Sequence, residues 1–187
     1  MSGKRKGQFF IMGAIILCVI FFAGLPVQVI MSTDDTSDIT ILAENLESEI
    51  PRALNLAMLE DGNPDSLDEF IGFARNKTLE RYTDLESLWV VTVPDTDNPG
   101  SIEVYAGNWF GSPTTLYIII DSIGVNMNLN DQETDSASFS GVSSQFDIQV
   151  SFSGRTWSET LPRDKTNLYS YVSLSRGDNV IVKEITA

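Results

Sequence analysis

The chain has 187 residues with 26 acidic and 12 basic side chains, no histidine and one cysteine. Without histidine there is no Ser-His-Asp or Cys-His constellation, no His-based zinc site and no side chain that ordinarily titrates near neutrality. A lone cysteine allows no internal disulfide, and the strong negative charge disfavours nucleic acid as a partner.

The charge is unevenly placed. Residues 1–33 carry Lys4, Arg5 and Lys6 and no acid, so residues 34–187 hold all 26 acids and the other nine bases, a formal charge of −17. Phe9 to Met31 reads FFIMGAIILCVIFFAGLPVQVIM, 23 residues without a charge. As a helix at about 1.5 Å per residue it spans a hydrocarbon core of about 30 Å. The run predicts a transmembrane helix over 9–31 with the lipid bilayer as its partner. Gly24 and Pro26 are expected to bend its outer end. The basic flank precedes the run and the acids follow it, so residues 1–8 are expected in the cytoplasm and the C-terminal part outside. The run is longer than the apolar segment of a cleavable secretory signal and does not end at a small-x-small site, which favours retention.

Lys4-Arg5-Lys6-Gly7-Gln8, leading directly into the apolar helix, resembles the class III signal peptides of archaeal type IV pilin-like proteins. The resemblance implies cleavage between Gly7 and Gln8, retention of the helix as anchor or filament core, and an archaeal host. It covers about the first thirty residues. Met12 stands where many members of that family carry an acid used in subunit docking. An uncleaved anchor with basic flanking residues is the alternative.

Ser32 to Asp38 is polar and short and is expected as a juxtamembrane linker over 32–38. A helix is expected to start at Asp38, whose carboxylate can cap the first turn. Ile39, Leu42, Leu46, Ile50, Leu54 and Ala57 recur at three- and four-residue steps and make one apolar stripe. Pro51 is expected to kink or divide this helix. Asp61-Gly62-Asn63-Pro64 ends it. Ser66 with Glu69 forms a capping-box pattern that opens a second helix, expected to reach about Tyr82. The helical region is thus 39–83.

From there the pattern changes to period 2. Trp89–Val93, Ile102–Tyr105, Thr115–Ile120, Arg155–Leu161, Leu168–Leu174 and Val180–Ile185 are expected strands. The clearest is Phe146, Ile148, Val150 and Phe152, alternating with polar residues as a half-buried antiparallel strand requires. The predicted fold is α+β: a transmembrane helix, one or two amphipathic helices, then an antiparallel β-sandwich-like head over 84–187. This order also resembles a pilin-like subunit.

Candidate sites are few. Asp95, Asp97 and Asn98 could offer oxygen ligands to calcium, but Asp, Asn, Pro and Gly are also the residues of an ordinary hairpin turn. Asn128, Asn130, Asp131, Glu133 and Asp135 carry the same two readings. Asn76-Lys77-Thr78 is a glycosylation sequon at Asn76. Trp89, Trp109, Trp157, Tyr105, Tyr117, Tyr169 and Tyr171 are either core and cross-strand pairs or a stacking platform. No acid pair is singled out for catalysis, and no cofactor is implied. Two functions are expected: a surface structural subunit that associates with further copies or other surface proteins, or a tethered module binding a sugar, peptide or protein.

Overall fold

The computed structural model describes residues 35–60 and 62–187. The apolar run 9–31 and the processing position at Gly7 and Gln8 lie outside the described residues. Among those described, no helix is long and apolar enough to cross a membrane.

Helix α1 spans Asp35–Glu60. The stripe predicted by its spacing is the face that packs: Ile39, Leu42, Leu46, Ile50, Leu54 and Ala57 are all buried. Pro51 lies inside α1 and does not divide it. An interior proline opposes a helix by about 3 kcal/mol. Burial of Ile50 and Leu54 beside it offsets this at about 1.5–3 kcal/mol per side chain. The helix starts earlier than expected, within the stretch read as linker. Asp38 is therefore a helical residue rather than its cap, and an acid this near the N-terminus favours the helix dipole.

Helix α2 spans Asp65–Leu79. The expected capping box is not formed. Asn63 instead accepts the Asp65 amide on its Oδ1 at 3.0 Å, while Ser66 is already helical and buried. Pro64, with φ near −85°, itself occupies the N-cap position, two residues before Ser66. At the other end α2 stops at Leu79, short of Tyr82. The Tyr82 amide donates to the Leu79 carbonyl at 3.0 Å and the Thr83 amide to the Thr78 carbonyl at 3.1 Å. That is the Schellman pairing, and it holds Tyr82 at φ 55° where glycine is usual.

Nine strands follow: β1 Asp84–Pro94, β2 Ser101–Trp109, β3 Thr114–Ile120, β4 Ile123–Leu129, β5 Glu133–Ser140, β6 Gln145–Phe152, β7 Arg155–Pro162, β8 Asn167–Arg176 and β9 Asn179–Thr186. They form two antiparallel sheets, A with order β5-β2-β1-β8-β9 and B with order β4-β3-β6-β7. The expected sandwich is present, with β4 and β5 added to the strands that periodicity predicted.

Two cores result, one on each face of sheet A. Between the sheets, Leu88, Val90, Val104, Tyr169 and Tyr171 meet Ile118, Phe146, Ile148, Val150 and Phe152. On the opposite face Leu85, Trp89, Val91, Leu168, Val172 and Leu174 meet the stripe of α1 together with Leu67 and Ile71 of α2. The order of layers is helices, sheet A, sheet B. Covering on both faces explains why β8 is buried from Asn167 to Leu174 without alternation.

Candidate functional site

The Asp95 loop joins β1 to β2 and is built as a self-capped turn. Asp95 Oδ1 accepts the Asp97 and Asn98 amides at 2.9 and 3.0 Å, and Oδ2 accepts Asn98 Nδ2 at 2.8 Å. These bonds, the Asn98 side chain first, hold the Asp95 carboxyl below its ordinary range. Its oxygens thus face the loop's own donors, as turn chemistry predicts. Asp97 is exposed beside them.

The second oxygen-rich stretch is not one loop. Asn128 ends on β4 and accepts from Thr115 Oγ1 at 2.8 Å, whereas Glu133 accepts the Asn130 backbone amide and side-chain amide at 2.7 Å each. Asp131 turns toward α2 and takes Arg75 Nη1 on both oxygens at 3.1 Å, with the Gly111 amide at 2.7 Å. Burial pushes this carboxyl up, but the Gly111 amide and the Arg75 and Gln132 side chains outweigh it and leave it lowered. Asp135 accepts its neighbouring Ser136 amide. Among the described residues no group of three or more acids and cysteines is placed to hold a metal ion.

Asn76 is exposed on α2, but Thr78 of the same sequon is buried and donates to the Arg75 carbonyl at 2.9 Å. In the folded helix the threonine is therefore inaccessible to a modifying enzyme.

Most of the aromatic set is core. Trp89, Trp109, Tyr169 and Tyr171 are buried, and half-buried Trp157 stacks on Tyr169 with ring centroids 4.4 Å apart. Trp109 anchors α2: its Nε1 donates to Asp68 at 2.6 Å, its ring fills the space beside Gly72, and Arg75 lies over it at 5.8 Å. Asp68 is raised above its ordinary value, chiefly by burial, although Trp109 opposes the shift. Trp89 Nε1 is buried without a hydrogen bond, yet lies near enough to Asp68 to favour its ionised form.

What the structure leaves facing solvent is the outer side of sheet B. Register places Thr115, Tyr117 and Ile119 of β3 there beside Gly124, Asn126 and Asn128 of β4. On the other flank lie Gln145, Asp147, Gln149 and Ser151 of β6, then Thr156, Ser158, Thr160 and Pro162 of β7. Register puts one charged side chain, Asp147, among these outward positions, and it accepts from Thr160 Oγ1 at 2.6 Å. A shallow depression of about 470 Å³ is lined by Ile119, Ser122, Asp147, Ile148, Gln149, Ser158, Glu159 and Thr160, so a second acid, exposed Glu159, borders it. Of the sequence-selected aromatics only Tyr117 is largely exposed here, at 43%. Gln149, Asn126 and Ser158 were missed: each is an ordinary polar residue of an alternating strand, and only sheet order gathers them.

No protein-family model matches the chain, and no curated protein matches it.

Proposed function

We propose that the chain is a membrane-anchored structural subunit of the cell surface, pilin-like in plan and without catalytic activity. The observation that carries this reading is the junction of anchor and head. The uncharged run ends at Met31 and α1 begins at Asp35, so little chain separates the two. A basic Lys-Arg-Lys-Gly-Gln entry, an apolar run and a helix packed on a β head are the parts of a pilin-like subunit in the expected order. Like-charged heads repel one another, so association of copies falls to the apolar run rather than to the acidic domain.

Determining the N-terminus of the mature protein tests this. A start at Gln8 is expected, and a start at Met1 or Ser2 would remove the pilin-like part. Orientation is tested separately: protease added to intact, wall-free cells should digest the head, and protection until lysis would reverse the topology.

A second reading, a tethered binding module, is favoured by the outer face of sheet B, which is rich in hydroxyl and amide side chains and poor in charge.

A further inference from the structure

We propose that the outer face of sheet B binds a neutral polysaccharide chain, with Tyr117 as the stacking surface and Gln149, Asn126 and Ser158 as hydrogen-bonding groups. This deepens the binding-module reading by naming its face and ligand class.

Charge narrows the ligand first. Residues 35–187 carry a formal charge of −16, from 25 acids and nine bases, yet the outward positions of this sheet hold one acid, Asp147, already bonded to Thr160, with Glu159 bordering the depression. A polyanion is repelled by the domain as a whole, and a cationic partner is drawn to the acidic helices instead. An uncharged ligand is indifferent to both.

Surface chemistry narrows it further. A protein interface is anchored by a desolvated cluster of aromatic and aliphatic side chains. Here Ile119, half-buried, and Tyr117 are the only large apolar groups on the face. The rest are hydroxyls and amides, which pair with ligand hydroxyls as both donor and acceptor. Gln149, Asn126 and Ser158 make no side-chain hydrogen bond within the described residues, so their groups are open to a ligand.

Tyr117 supplies the remaining part. A Cβ added to Gly124 would lie 2.5 Å from the Tyr117 hydroxyl and 3.0 Å from its Cε2, so the ring lies down across Gly124 instead of standing off the sheet. Its far side is thereby turned to solvent. The negative face of an aromatic ring attracts the C–H edge of a sugar. Ile119 and Gln149, side by side in register at the depression, lie one residue pair along β3 from Tyr117, about 7 Å away. A chain can therefore stack on the ring and continue into the depression.

A solvated sheet face needs none of this, since a tyrosine over a cross-strand glycine also shields backbone. The two readings separate experimentally. Full-length protein in detergent micelles is incubated with insoluble cellulose, chitin and mannan, and with polygalacturonate as an acidic control. Retention on at least one neutral polymer and none on the acidic one is expected. Tyr117→Ala should weaken retention about tenfold, one stacking contact's worth, while Tyr117→Phe keeps it. Ser158→Arg, exposed and remote from Gly124, should also abolish retention, and it serves if Tyr117→Ala does not fold. No retention on any neutral polymer overturns the proposal, as does equal retention on the acidic control or by folded Tyr117→Ala. Concentration-dependent dimers abolished by Ser158→Arg would overturn it in favour of contact between copies. Binding in micelles is independent of membrane orientation and processing, so this test and the topology test fail separately.

Discussion

The two solvent-facing sides of the head differ in chemistry although both cover hydrophobic cores. The helices α1 and α2 carry nine acids against three bases along their lengths, whereas the four strands of sheet B carry two acids, Asp147 and Glu159, and one base, Arg155. On the helices only a stripe must be apolar, and the rest of the circumference is free to carry the charge that keeps the domain soluble. In sheet B every second residue faces water, and short hydroxyl and amide side chains fill those places. The charge that favours solubility is thus concentrated on the helical side.

The largest test of this division strikes the core that each side covers. Phe152→Ala on β6 and Ile50→Ala on α1 should each cost about 2–5 kcal/mol, read from denaturant midpoints. If only Phe152→Ala does so, the helices are a dispensable cover rather than half of the fold.

Next come the glycines that let large rings lie close. A Cβ at Gly72 would meet the Trp109 ring at 2.6 Å, so Gly72→Ala should cost about 1–3 kcal/mol by overpacking the α2 contact. An unchanged midpoint would mean that α2 shifts freely on sheet A.

Two aspartates beside that contact sharpen the comparison. Asp131 is lowered, so its stabilisation is complete above the unfolded value of about 3.9 and is lost as pH falls through its folded value. Asp68 is raised, so its ionisation opposes folding above its folded value and that penalty vanishes as pH falls toward the unfolded one. At pH 7 Asp131→Asn should cost about 1–3 kcal/mol, since Arg75 and the Gly111 amide lose a charged acceptor. Asp68→Asn should hold or raise the melting midpoint. Equal losses in both would show that the Trp109 bond requires a charged acceptor.

The smallest expected effect is calcium. At fixed ionic strength, added calcium should leave the melting temperature unchanged, in wild type and in Asp97→Asn alike, because Asp95 already accepts three bonds from its own loop. A calcium-dependent rise that vanishes in the mutant would make this loop a site.

Much of the plan was legible because it is local. The stripe from Ile39 to Ala57 and the alternation from Phe146 to Phe152 are periodicities of neighbouring residues, and both faces are buried as spaced. β4 and β5 were not legible. The turn before β4 is Asp121-Ser122, both at positive φ without a glycine to mark it. The Asp121 carboxyl holds it by accepting the Ser143 and Asp147 amides, a bond across 22 residues or more that no local pattern signals. β5 is a polar edge strand whose one fully buried apolar side chain is Phe139, so it shows little alternation. The turn character of Asp95 was readable from composition, whereas the pairing of Asp131 with Arg75 spans 56 residues and was not.

Composition and local period by themselves determined the uncharged run, the acidic remainder, the two amphipathic helices and the antiparallel β character of the head, because each depends on which residues are neighbours in the chain. Tertiary structure alone decided that sheet A lies between helices and sheet B, that Trp109 seats α2 through Asp68 and Gly72, and that Tyr117 lies across Gly124 on a face poor in charge. Those facts depend on strand order, and strand order is set by which nonlocal faces bury the most apolar surface together.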